Sequence, residues 1–166
     1  SLRLGSIDDF DSDVTPRLTV ALASVLSPAE LALTTEPSLR ILEDVAARRI
    51  DLGVAARPLH LPDGVVEAPL LRDAFVLAVP RGYLHGAPTS IDALSALPFL
   101  RYGKSQLLAR QISAHLARLR LAPQGRIELD SNPAIFGLIA SGAGWAISTP
   151  VSFLRARRFH DQVDLY

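Results

Sequence analysis

The sequence predicts an α/β fold in two units joined by a hinge around a cleft, and three observations point that way. Short apolar runs alternate with amphipathic helical stretches from Leu2 to Ala55, and the alternation resumes at Phe99. Between these stretches Pro80-Arg81-Gly82 carries the breaker residues expected of a passage from one unit to the next. Helix starts recur as a capping residue followed by proline, at Thr15-Pro16, Asn132-Pro133 and Thr149-Pro150.

In order, Leu2 to Ile7 predicts a short buried strand, and Thr15 an N-cap with Pro16 in the first turn. The helix that follows places Leu18, Ala21, Leu22, Val25 and Leu26 at three- and four-residue intervals, the stripe of a helix packed on a sheet, and Ser27-Pro28 ends it. Leu31 to Thr35 predicts a second strand. Glu36-Pro37-Ser38 then opens a helix carrying Leu42, Val45, Ala46 and Arg49, and Asp51 to Ala55 returns as a third strand. This order implies a parallel sheet with right-handed crossovers, because each helix must carry the chain back to the starting edge.

Val65 to Leu71 and Phe75 to Val79 predict two further strands. Beyond them lie a strand at Phe99 to Tyr102, a helix from Gln106 to Leu119 with Leu108, Ile112, Leu116 and Leu119 on one face, and a strand at Arg126 to Leu129. Asn132 is expected to cap the next helix, with Ile135, Leu138 and Ile139 inward and Gly142 at its C-terminal cap. Trp145 to Ser148 predicts a strand, Thr149-Pro150 a helix reaching about Arg157, and Val163 to Tyr166 a strand cut short.

Composition narrows the function classes. A chain of 166 residues buries a core without metals or disulfides, and the absence of cysteine removes a disulfide framework, a thiolate zinc site and a cysteine nucleophile. Seventeen Lys and Arg balance seventeen Asp and Glu, so no net field draws a polyanion and DNA binding by this piece alone is not expected. Charged residues and prolines interrupt every apolar run well short of a membrane span, and no charged n-region with an apolar h-region follows Ser1. The expectation is a soluble cytoplasmic protein, cut from something longer. Methionine is absent throughout, for which no physical reason is evident.

Few constellations carry chemistry. Asp9, Asp11 and Asp13 have the spacing that opens a calcium loop, but Val14 and Val20 stand where such a loop needs glycine and a bidentate glutamate. Those carboxylates are better read as complementing a helix N-terminus. His60, His85, His115 and His160 are scattered, and no nucleophile elbow, phosphate loop, dinucleotide fingerprint or zincin helix occurs. Lys104, the sole lysine, lacks a visible activating partner and reads as surface. More informative are polar residues expected where strands give way to helices: Ser6, Asp8, Ser38, Arg101, Tyr102, Ser105, Gln106, Asn132 and Thr149. Such positions offer helix N–H groups and hydroxyls as a cradle for a carboxylate, to which Arg101 adds a bidentate clamp, although each residue taken singly also reads as an ordinary cap.

The segments LRLGSIDDF from Leu2, ARRIDLGVA from Ala47, FVLAVPRG from Phe75, FLRYGKSQ from Phe99 and SGAGWAISTP from Ser141 resemble, in order and spacing, the effector-binding (substrate-binding) domain of LysR-type transcriptional regulators. The resemblance implies two Rossmann-like lobes in a type 2 periplasmic-binding-protein-like arrangement. Lobe I is expected over residues 1–73 and lobe II over 74–166, with hinge crossings near 74–80 and 163–166. It further implies an effector between the lobes, near Ser6, Ile7, Ser38, Arg101, Tyr102, Ser105, Asn132 and Thr149. Antiparallel pairing of two chains through Val14 to Leu26 and Gln106 to Leu119 is implied as well, giving a homodimer or higher homo-oligomer. Two departures from a complete member are expected. The chain lacks the N-terminal winged helix-turn-helix that would read DNA, and it lacks the strand and helix that would return to lobe I.

The function expected is therefore a sensor of a small organic, anionic effector, without cofactor, metal or catalysis. A transport solute-binding protein of the same fold is the alternative. An enzyme on this fold would need the nucleophile-base pair or metal cluster that the sequence does not display.

Overall fold

The computed structural model of the chain describes residues 1–26, 30–125 and 127–166. They form two compact units, Ser1–Arg72 and Asp73–Tyr166.

Unit one is a three-stranded parallel sheet with two helices. Strands β1 (Leu2–Ser6), β2 (Leu31–Thr35) and β3 (Leu52–Val54) stand in the order β2-β1-β3, and helices α1 (Thr15–Val25) and α2 (Ser38–Ala46) make the crossovers. The central strand pairs Ser6 with Thr35 on one side and with Val54 on the other. Its core is small: Leu4, Ile41 and Ile50 are its buried hydrophobic side chains among the described residues. Glycine lets α2 come close, since a Cβ on Gly53 would stand 2.5 Å from Ile41 Cγ2. Arg3 binds Asp51 across the start of the sheet through Nη2 to Oδ1 at 2.8 Å and Nε to Oδ2 at 3.1 Å.

Unit two is larger and mixed. β4 (Val76–Pro80) runs antiparallel to both β7 (Ala146–Ser148) and β8 (Val163–Leu165), while β5 (Leu100–Tyr102) and β6 (Ile127–Leu129) are parallel. A parallel bridge between Phe99 and Trp145 joins β5 to β7, with Leu100 N donating to Trp145 O at 2.8 Å. Helices α3 (Leu107–Arg118), α4 (Asn132–Ala140) and α5 (Pro150–Phe153) follow β5, β6 and β7. The hydrophobic core runs from Ala78 and Val79 through Leu100, Ile112, Phe136 and Ile139 to Ala146 and Val163. Helix α4 is buried at Ile135, Phe136 and Ile139 because its sequence is apolar nearly all round.

Several expectations need correction. Val65 to Leu71 forms no strand; Pro69 cannot donate to a ladder, and Val66, Leu70 and Leu71 are exposed. The direction of Phe75 to Val79, which the sequence left open, is antiparallel to its neighbours β7 and β8. Thr15 is inside α1 rather than capping it, and Val14 holds the cap position. Asn132 likewise begins α4, while Ser131 caps it by accepting from Ala134 N. The last helix stops at Phe153 and continues to Phe159 as a 3-10 turn kinked at Ala156, short of a regular helix to Arg157. The stripe of α1 is less buried than its periodicity predicts, with Leu18 and Leu22 half-buried and Val25 exposed. Gly142, at φ +79°, takes the left-handed position just past α4 that its place in the sequence predicts. The expected helix end at Ser27-Pro28, and Arg126 at the start of β6, lie outside the described residues.

Candidate functional site

Parallel strands expose their carboxyl ends together, and the helices that follow begin there, so each unit presents one rim of helix starts. In unit one this rim gathers at Ser6. Glu36 N donates to Ser6 O at 3.1 Å and Ile7 N to Val54 O at 3.2 Å, which ties the ends of all three strands together. Ser6 is buried and Ile7 half-buried, while exposed Asp8 opens a 3-10 turn, Asp8–Phe10. Ser38 begins α2, and its Oγ accepts from Ala56 N at 3.0 Å, so it stands beside the chain leaving β3. Ser6 and Ser38 therefore share an edge, and Asp11 stands near it, accepting from Thr35 Oγ1 at 2.8 Å.

In unit two the rim forms where β5, β6 and β7 end. Tyr102, the last residue of β5, is buried, and its hydroxyl lies 2.7 Å from Ser148 Oγ at the end of β7. Gly103 N donates to Leu129 O at 3.0 Å, and Gln106 Nε2 to Asp130 O at 2.6 Å, linking the start of α3 to the end of β6. Ser105 lies exposed on the turn between β5 and α3, and Asn132 opens α4 next to the Ser131 cap. Thr149 caps α5, accepting from Ser152 N at 3.2 Å, and its hydroxyl lies 3.1 Å from Ser152 Oγ. Of the rim residues expected from the sequence, Thr149 is the one whose side chain makes an ordinary cap among the described residues.

Arg101 is the exception to the expected grouping. It sits in the middle of β5, where strand alternation turns it away from the face of Leu100 and Tyr102. Its guanidinium carbon lies 5.9 Å from the Phe99 ring centroid, and Nη2 donates to Pro123 O at 3.5 Å. Pro123 precedes β6 and neighbours Gln124, whose carbonyl accepts from Phe99 N, so the side chain reaches back toward the start of β5. Arg101 is thus not among the side chains that gather at the strand-end rim. The sequence could not show this, because it depends on which way one strand residue faces.

Sequence reasoning also missed the Tyr102–Ser148 hydroxyl pair and the Ser131 cap. The Ser131-Asn132-Pro133 run carries the signal for that cap, since proline is tolerated throughout the first helical turn.

Two α/β units with strand ends gathered into helix-start rims define the class, a domain of the type 2 periplasmic-binding-protein-like fold. Residues 1–159 match the family model described as the LysR substrate binding domain, and the chain belongs to that family. Among solved structures it is similar to the effector-binding domain of QuiR in complex with shikimate, at 17% identity and TM-score 0.76, covering 99% of this chain and 78% of that one. It is similar also to the regulatory domain of Synechocystis PCC6803 CcmR in complex with 2-PG, at 24% identity and TM-score 0.74, covering 92% and 73%. A third likeness is to the cofactor-binding domain of the Cbl transcriptional regulator, at 17% identity and TM-score 0.78, covering 99% and 72%. These likenesses establish the fold. No curated protein matches the sequence. No helix among the described residues is long and apolar enough to cross a membrane.

Proposed function

We propose that the chain is the ligand-sensing part of a LysR-type transcriptional regulator and binds a small organic anion at its strand-end rims. The observation that carries this reading is the match of residues 1–159 to the LysR substrate binding domain, with hydroxyls and helix starts gathered where parallel strands end. Ser6, Ile7, Asp8 and Ser38 in unit one, and Tyr102, Ser105, Asn132 and Thr149 in unit two, are the proposed contacts. Helix N–H groups and short hydroxyls favour a carboxylate or phosphate. Shikimate and 2-PG, bound by two proteins of this fold, are anions of that kind.

Sensing requires an effector that binds two states unequally, and segments 74–80 and 163–166 are the proposed hinge. Pairing of β4 with β8 supports the two segments acting as one. The parent protein is proposed to be cytoplasmic, to bind DNA through a separate winged helix-turn-helix, and to self-associate through α1 and α3. Exposed Val20 and Val25 on α1 support the last point. Binding rather than catalysis is the proposed role.

Thermal-shift screening of small carboxylates tests this reading, because a ligand that binds the folded state raises the melting temperature by mass action. A carboxylate that stabilises the wild type is expected to lose its effect in Ser105→Trp and Asn132→Ala and to keep it in Arg101→Ala. Equal stabilisation of the wild type and both rim variants would remove the rim from the reading.

A further inference from the structure

Helix α3 packs Ala109, Ile112 and Leu116 inward. Beside it unit two holds a solvent-open cavity of about 480 Å³, lined by Leu100, Tyr102, Ile147, Phe99, Ile112, Leu116 and Leu121. The volume lies within the roughly 300–1,000 Å³ typical of small-molecule sites. Its charged lining is Arg101, Lys104 and Arg110 against the single carboxylate of Glu128. That carboxylate accepts from Lys104 N at 3.4 Å, and Arg110 Nε donates to Lys104 O at 3.4 Å, which holds acid and base together at the β5–α3 turn.

We propose that this cavity is a second ligand site, beside the strand-end rim and touching it at Tyr102, and that it takes an organic anion with an apolar body. The walls supply apolar burial, and three cations against one carboxylate leave the lining positive. Arg101 then has a role that its position explains: lying along Phe99 and toward Pro123, it lines the cavity instead of the rim. An arginine stacked on an aromatic ring keeps guanidinium donors available to a carboxylate while its own apolar face is covered. The site shares Tyr102 with the proposed effector rim, but its other walls come from α3, the start of β5 and the loop before β6.

Calorimetric titration of the full chain with octanoate and with 1-octanol tests the proposal. Octanoate is expected to bind the wild type more tightly than octanol does. Ser113→Trp fills the cavity from α3 and Ala122→Trp from the loop, both at exposed lining positions, and each is expected to weaken octanoate about tenfold or more. Arg110→Gln is expected to weaken octanoate and leave octanol unchanged. Ser105→Trp, on the strand-end rim, is expected to leave octanoate binding intact; loss of binding there would place octanoate on the rim and overturn the second site while sparing the proposed function. Unchanged binding in both cavity-filling variants would overturn it, as would octanol binding as well as octanoate. Failure of octanoate to bind while sedimentation shows a dimer would mean that a second copy of the chain closes the groove, which also overturns it.

Discussion

At the scale of single residues, the pairs that matter join positions far apart in the chain. Asp51 is held by Arg3 through its guanidinium and through its backbone N–H, at 2.8 Å to Oδ2. These hydrogen bonds from Arg3 lower the Asp51 pKa from 3.8 to about 2. A carboxylate whose folded pKa is depressed adds stability above its unfolded pKa and loses it as pH falls through the folded value. Asp51→Asn is therefore expected to lower the urea midpoint at neutral pH, and the gap from the wild type is expected to close between about pH 4 and pH 2; a gap constant with pH would deny the pair this role. The Tyr102–Ser148 hydroxyl pair is buried, so Tyr102→Phe leaves Ser148 without that partner and is expected to cost about 1–3 kcal/mol in denaturant unfolding. Arg101 and Tyr102 are adjacent in sequence, yet Tyr102 is buried against Ser148 while Arg101 is exposed and reaches toward Pro123. Periodicity places both on a strand, but does not say which side chain each will meet.

At the scale of elements, helix starts were largely legible, because capping is local chemistry. Thr149 caps as its sequence predicts, and Ser131 displaces Asn132 by one position. Thr149→Val removes both the bond from Ser152 N and the partner of Ser152 Oγ, and is expected to cost about 0.5–2 kcal/mol in thermal or urea unfolding. A loss below the error of the measurement would show water replacing the cap. Strand existence was less legible. The run from Val65 to Leu71 has the apolar residues of a strand, but a strand needs a neighbour, and propensity carries no information about pairing. The mixed direction of unit two escaped for the same reason, since β4 and β8 pair across more than eighty residues. Helix α1 shows the converse: its apolar periodicity is plain, yet the structure leaves Ala21 and Val25 of that stripe exposed, along with Val20 outside it. Val20→Glu is expected to leave helicity unchanged and to shift sedimentation toward monomer at high concentration, which an unaltered profile would contradict.

At the scale of the whole molecule, the two units differ in how much core they own. The continuous buried cluster of unit two contains Phe136, Leu100 and Trp145, while unit one relies on Leu4, Ile41 and Ile50. Opening free energy follows buried apolar contact, so amides of Ser1–Arg72 are expected to exchange faster than those of Asp73–Tyr166 in native-state hydrogen exchange. Equal protection in both units would mean that they open as one. The family was legible in short segments spread along the chain, and their order and spacing agree with the match over residues 1–159.

The sequence by itself determined the alternation of strands and helices, the helix starts, the balanced charge and the family, because these rest on local periodicity, capping and composition. Only the tertiary structure decided which strands pair and in which direction, that Tyr102 meets Ser148, that Arg101 reaches toward Pro123 and lines the cavity beside α3, and that Val65 to Leu71 forms no strand. Each of these depends on residues brought together from distant parts of the chain, and local pattern carries no record of that meeting.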